Sequence, residues 1–376
     1  EGELTMDADL EPVYLRILQA THPEDIFGCE DIVLPVDTLL AYLEREYERL
    51  RSVVRPEAYA NPADREAAAE ALTLLERQYE EGRRRIREMT YGIVAFGTAP
   101  PTKLTRSFTI GPRRFYVGPK LGEGARSTLY QGFLEENGIL LGEVVLKLAT
   151  TRAANPSMLR ERRLLDILHS TDVPQWRHLP YPLERFEAGA RLGIAYRKIK
   201  GFPLTAVRQH PEHRRGVDQR HMIWMLDRLL SVLGYVHAKG VVHGTLVPEH
   251  LVVQPAVHNV CIAGGWGSAV HEPACSGERI AEHFEAFSAP EVRTGGRIGP
   301  WSDLYSLGKV MIWLVGGDPV ENRIPATVEQ DLQAFLLDLV EERVERRPSD
   351  AWELFHLQNE LKDSLWPRKF LPFNMQ

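Results

Sequence analysis

Residues 121–130 read Leu121-Gly122-Glu123-Gly124-Ala125-Arg126-Ser127-Thr128-Leu129-Tyr130. The run lies between two strand-like stretches, 115–121 and 129–134, and glycines at that spacing let a tight backbone turn approach a phosphate. Alone, such a turn says little. Downstream, Val144-Val145-Leu146-Lys147 is a strand ending in a lysine, one of only nine in this arginine-rich chain. Leu159-Arg160-Glu161-Arg162-Arg163-Leu164-Leu165 then puts a glutamate on a helix. Further on come His243-Gly244-Thr245-Leu246-Val247-Pro248-Glu249-His250, Gly265-Trp266-Gly267, Ala289-Pro290-Glu291, Ser302-Asp303-Leu304-Tyr305-Ser306-Leu307-Gly308 and Arg347-Pro348-Ser349.

In that order and at those separations, the series resembles the protein-kinase fold over roughly residues 113–360. The resemblance implies an α+β architecture of two lobes: a β-rich small lobe, 113–200, and a helical large lobe with a tail, 201–376. In the family a lysine held by a helix glutamate grips the nucleotide phosphates. A catalytic-loop aspartate orients the acceptor hydroxyl, and an asparagine and a second aspartate hold the metal ions. Lys147 and Glu161 match the first two positions, although they read equally well as a structural ion pair between strand and helix. The base position is Thr245, whose neutral hydroxyl cannot accept a proton at pH 7 as a carboxylate does. The metal-binding asparagine position is His250, and the metal carboxylate position is Gly265. Magnesium favours hard oxygen ligands, so no metal site and no catalytic residue are expected. The resemblance is therefore to a pseudokinase.

Other matching positions belong to scaffolding. By resemblance, Leu165, His243 and Trp266 stack on Asp303 as a spine, and Glu291 with Arg347 forms a buried ion pair. The adenine slot would be walled by Leu121, Leu129, Val145 and Val252, with Tyr196 as gatekeeper. Val145 stands where the family usually has alanine, and two extra methyls narrow a packed slot. Gly122, Gly124 and Lys147 persist, so the one cofactor left open is ATP bound without magnesium.

Residues 1–90 read differently. Leu39, Leu40, Leu43, Tyr47 and Leu50 recur at helical spacing, and the pattern ends near Val54 because Arg55 precedes Pro56. Asn61-Pro62-Ala63-Asp64 is a turn with a new cap, after which Ala68, Leu72, Leu75, Tyr79 and Ile86 mark a second helix over 65–87. A short amphipathic piece, 13–18, is placed against them. Glu24-Asp25-Ile26-Phe27-Gly28 followed by helix, loop and longer helix resembles a J-domain over roughly 22–80. The family's His-Pro-Asp is replaced here by Arg55-Pro56-Glu57, so a J-like domain without its signature is expected. Dense glycine and proline over 91–112 marks a linker.

Composition narrows the partners. The net charge of −7 divides unevenly: 21 acidic and 11 basic residues in 1–90, then 31 acidic and 34 basic in the rest. Neither part has the basic stripe of a nucleic-acid binder. No apolar run nears the roughly 18 residues that span a bilayer, so no membrane is expected. Cys29, Cys261 and Cys275 form no CxxC pair, which fits a reducing, cytoplasmic setting. His210, His213 and His221 are irregularly spaced without cysteine partners and are expected in a solvated loop, not a zinc site.

The leading expectation is an interaction protein with protein partners, a scaffold or allosteric regulator. An unconventional nucleotide-dependent transferase is the alternative, with Glu249, His250 or Glu278 as replacement groups, but residues 262–269 contain no acid. A nucleotide or metabolite sensor is the third.

Overall fold

The computed structural model describes all residues except 1–5, 21, 29–35, 88–90, 92–103, 105, 137–138, 172, 256–257, 274–283, 367–370, 372 and 376. Two compact units emerge: Glu1–Tyr116 with Phe133–Glu143, and Val117–Gly132 with Val144–Gln376.

In the first unit, helices α1 (Leu10–Gln19), α2 (Pro23–Phe27), α3 (Val36–Val53) and α4 (Pro62–Arg87) bury Leu10, Ile17, Ile26, Phe27, Leu43, Leu50, Leu75 and Ile86. The helical stripe read from Leu39 to Leu50 is this core. Helix α3 stops before Pro56, which opens a 3-10 turn, Pro56–Ala58. Asn61 Oδ1 accepts from the Ala63 amide at 3.0 Å, and Pro62 fits the first turn of α4, where its missing N–H has no intrahelical acceptor to lose. The helix thus starts three residues before the sequence expectation. Tyr47 stacks on Tyr79 at 4.0 Å, and the largely buried Arg85 meets Glu24 at 2.6 Å.

Strands β1 (Arg106–Ile110), β2 (Arg113–Glu123), β3 (Ser127–Glu136), β4 (Ile139–Ala149), β5 (Pro182–Ala188) and β6 (Arg191–Arg197) form one sheet in the order β1-β2-β3-β4-β6-β5. β1 lies within the stretch read as linker, most of which falls outside the described residues. Helix α5 (Asn155–Leu168) follows β4. Its first residue is clamped to the β5–β6 hairpin: Asn155 Nδ2 donates to the Ala190 carbonyl and Asn155 Oδ1 accepts from the Leu192 amide, both at 2.9 Å. That fixes the helix, and hence Glu161, over the sheet.

After β7 (Phe202–Pro203) and α6 (Leu204–Gln209), the chain is mainly helical. Helix α7 (Gln219–Ala238), capped by Asp218, buries Met222, Met225, Leu226, Leu229, Leu233 and Val236. The short strand β8 (Val241–Val242) leads to the 243–250 loop, the hairpin β9 (Leu251–Gln254) with β10 (Asn259–Ile262), and β11 (Val270–His271), which pairs with β8. Helices α8 (Pro290–Thr294), α9 (Pro300–Leu314), α10 (Gln330–Leu339) and α11 (Ala351–Leu365) complete the unit. This mixed architecture with a curled sheet agrees with a kinase-like fold.

One expectation is overturned. His213 and His221 are not in a solvated loop: both are buried, and each packs its ring against Phe373, with centroids 4.9 Å apart. The carboxy-terminal segment covers them, a tertiary contact that local spacing does not encode. Cys261 is a buried free thiol, whereas Cys29 and Cys275 lie outside the described residues. No described helix is long and apolar enough to cross a membrane.

Candidate functional site

Lys147, Glu161, Tyr196, His243, Thr245, His250, Gly265 and Trp266 are carried by β4, α5, β6, the 243–250 loop and the 265–268 turn. On the sheet, Lys147 pairs with Ile194 and Val145 with Tyr196 across β4 and β6, so Lys147 and Tyr196 share a face as diagonal neighbours. Both reach one carboxylate on α5. Lys147 Nζ donates to Glu161 Oε2 at 2.6 Å, and the Tyr196 hydroxyl donates to Glu161 Oε1 at 2.6 Å. Burial first, and the neighbouring Glu161 charge second, push the Tyr196 hydroxyl well above its ordinary range, so it stays a donor. Sequence reading placed Tyr196 as gatekeeper of the adenine slot; its use of the second carboxylate oxygen was not foreseen, since only the sheet register puts it beside Lys147.

The glycine-containing turn joins β2 to β3, with the Gly124 amide donating to the Ser127 carbonyl at 2.8 Å. Leu121 is exposed, Leu129 and Val145 are half-buried, and Val252 on β9 is half-buried. Arg126, in the turn itself, extends Nη1 to Ser268 Oγ at 3.4 Å. The turn at 266–268 is held from α5 as well: Ser157 Oγ and Arg160 Nη1 both donate to the Gly267 carbonyl, at 3.2 and 3.4 Å. These three tethers carry no sequence signature that a single chain reveals.

The three positions where the resemblance places the missing chemistry converge. Gly265 adopts φ 86°, in the left-handed region, and a Cβ built there would lie 2.6 Å from His243 Cε1, 2.7 Å from Thr245 Oγ1 and 2.8 Å from His250 Nδ1. Real contacts of that kind do not occur below about 3 Å without movement. The surrounding side chains are fixed by their own hydrogen bonds. His250 Nδ1 donates to the Thr245 carbonyl at 2.7 Å, the Thr245 hydroxyl donates to the Gly265 carbonyl at 3.4 Å, and His243 Nε2 donates to the Gly264 carbonyl at 2.8 Å. Burial lowers the His243 pKa to about 4, which keeps the ring neutral at pH 7.

Below this cluster, Asp303 is fully buried and accepts from the His243 amide at 2.8 Å, the Gly244 amide at 2.6 Å and His237 Nε2 at 2.9 Å. Burial alone would raise its pKa, but the His237 hydrogen bond and the neighbouring donors win, and the carboxyl is held below its ordinary value. The His243 ring meets Trp266 edge to face at 4.7 Å, and Leu165 and Trp266 lie in the same apolar core. Separately, Arg347 Nη1 reaches Glu291 Oε1 at 2.7 Å, its guanidinium lies 4.6 Å over the Tyr305 ring, and Ser302 Oγ donates to the same Glu291 oxygen at 2.7 Å.

This donor set does not fit magnesium. Thr245, His250 and Gly265 offer one hydroxyl, one imidazole and no carboxylate, whereas magnesium is held through carboxylates and water. Two buried carboxylates of this region are committed elsewhere, Glu161 to Lys147 and Tyr196, and Asp303 to three donors. Of the groups suggested as replacements, Glu249 is exposed and Glu278 lies outside the described residues.

Comparison with known proteins supports the fold. The chain is 20% identical over 278 residues to a probable serine/threonine-protein kinase, pknA2, of Bifidobacterium longum, covering 67% of this chain and 36% of the relative. It is 25% identical over 222 residues to human 3-phosphoinositide-dependent protein kinase 1, covering 55% of this chain and 36% of that protein. A third match, mitogen-activated protein kinase kinase kinase 17 of Arabidopsis thaliana, is 30% identical over 110 residues, 27% of each chain. The chain thus spans about a third of the length of the curated relatives it matches. No family model matches it. These similarities, with the mixed helix-and-strand architecture, support a protein-kinase-like fold.

Proposed function

We propose that the second unit is a pseudokinase: a kinase-like module that does not transfer phosphate and acts as a scaffold or allosteric regulator for a protein partner. The observation that carries this reading is the packing at Gly265. The position where the family carries its metal carboxylate is a glycine whose missing side chain leaves only the space that His243, Thr245 and His250 already occupy. Loss of base, metal ligand and the room to regain one leaves phosphotransfer without its parts, each of which contributes orders of magnitude in rate. Thr245, His250 and Gly265 are then fold residues, while Asp303, His243, Trp266, Glu291 and Arg347 hold the large lobe together.

A second reading, metal-independent nucleotide sensing, is favoured by the Lys147–Glu161 pair at 2.6 Å together with the persistence of Gly122 and Gly124 at the β2–β3 turn. Thermal unfolding of the chain with ATP, ADP or GTP, each with magnesium, manganese or EDTA, separates the readings. A ligand at a hundred times its Kd raises stability by about 2.7 kcal/mol when it binds only the native state. No shift under any condition is expected of a pure scaffold. A shift in EDTA that Lys147→Met removes supports the sensor. A shift that requires metal favours a transferase and contradicts both.

For residues 22–80 we read a J-like domain without its signature, supported by α2, α3 and α4 in that order with Arg55-Pro56-Glu57 in the connection. Its acidic surface and the absence of a basic stripe favour a protein partner over nucleic acid, and we place the protein in the cytoplasm.

A further inference from the structure

The turn that follows α6 contains three groups of metal-ligating type. One ligand atom from each of His210, Glu212 and His213 lies within 4.8 Å of the other two. Their burial is graded: His213 is 9% exposed, His210 is half-buried and Glu212 is exposed. Two of the imidazole nitrogens are anomalous. His210 Nδ1 and His213 Nε2 are both shut off from solvent and neither has a hydrogen-bond partner. A buried imidazole nitrogen without a partner is costly, and here two of them sit in one turn with a carboxylate between them in sequence.

The surroundings orient the rings for a ligand. His213 stacks on Phe373 at 4.9 Å with 13° between the ring planes, and the Asn374 backbone hydrogen-bonds the same imidazole. Metal-binding histidines are held in this way, by a backbone or carboxylate partner that leaves the other nitrogen to the metal. Arg208 is one nearby cation that works against the site, and Arg214 and Arg215 directly follow His213 in sequence. Arg208 Nη1 is engaged by the His213 carbonyl at 2.6 Å and its guanidinium lies 5.3 Å over Trp313, while Glu212 supplies the offsetting negative charge.

We propose that His210, Glu212 and His213 bind a divalent transition-metal ion of the zinc class, two imidazoles and one carboxylate, with water completing the shell. Such a donor set selects zinc, nickel or cobalt over magnesium and calcium, which favour all-oxygen sites. Zinc–ligand bonds of about 2.1 Å place ligand atoms roughly 3.4 Å apart, a closure that the exposed Glu212 and half-buried His210 make by side-chain rotation. The ion ties the turn to itself and holds the His213 ring in place against Phe373, so its role is structural and independent of the pseudokinase reading.

The test is calorimetric titration of the full chain with zinc chloride, repeated on His210→Ala and Glu212→Gln, two changes at positions outside the closed core. The expected result is one strong site per wild-type chain, with affinity lowered in each variant by at least the roughly 10–100-fold that loss of a ligand's supporting partner costs. Cobalt should give a visible d–d absorption band in the wild type that His210→Ala removes. A magnesium titration should show no uptake at this site. Zinc uptake that is absent, or unchanged in both variants, overturns the proposal, because the remaining histidines would then account for any binding.

Discussion

At Gly265 the backbone holds φ 86° and three neighbouring side chains crowd the volume a Cβ would need. A single Gly265→Asp exchange therefore does not rebuild a metal site. It is expected to lower stability by about 1–3 kcal/mol, the usual cost of overpacking, with no gain in phosphotransfer; chemical denaturation and a kinase assay on the same variant check both. Thr245→Asp puts a carboxylate where the native hydroxyl is 1% exposed and donates to a carbonyl that a carboxylate repels. Its expected effect is a larger loss, or a carboxyl that remains protonated near neutral pH. The identities of Thr245, His250 and Gly265 were legible once the ordered motifs suggested a kinase-like series. Their mutual crowding was not, because it depends on how a loop and a turn some twenty residues apart come together. The burial of His213 and His221 escaped for the same reason: their neighbour Phe373 lies far along the chain.

Pairs of elements show a different balance. The Glu291–Arg347 contact ties the start of α8 to the loop before α11, with the Arg347 side chain fully buried. Arg347 also donates to the carbonyls of Glu341 and Glu342. Removing one partner of such a pair strands a buried charge, so Arg347→Ala should cost about 3–5 kcal/mol, measurable as a drop in the denaturation midpoint. In the helical unit, Leu43→Ala on the fully buried face of α3 should cost about 2–5 kcal/mol. Both helices of that hairpin were readable because their apolar residues recur at helical spacing and proline punctuates them. Strand β1 was not, because it is only five residues long, mostly exposed, and embedded in a stretch dense in glycine and proline that reads as a linker. Strand β5 opens on Pro182 and shifts register against β6 at its start, which hides its period.

Over the whole molecule, acid sensitivity follows from histidines buried without charge. Burial lowers both His178 and His243 from 6.5 to about 4 in the folded chain. The unfolded state therefore binds protons first. Their contribution is fully present above pH 6.5 and is lost as pH falls towards 4, each residue adding a slope of at most about 1.4 kcal/mol per pH unit. Unfolding midpoints measured from pH 7.5 to 4 should fall progressively through that window, and a flat profile would contradict the neutral assignment. The same molecule-wide logic separates fold from activity: Asp303 and Arg347 each hold several buried partners, whereas the positions that the resemblance assigns to phosphate transfer carry a hydroxyl, an imidazole and a glycine.

The most direct test of that separation is transfer of labelled γ-phosphate from ATP, to the chain itself and to a generic protein acceptor, with magnesium or manganese. The wild type is expected to incorporate no more label than Lys147→Met. Metal-dependent incorporation that Lys147→Met abolishes would contradict the account and make this an active kinase built on displaced ligands.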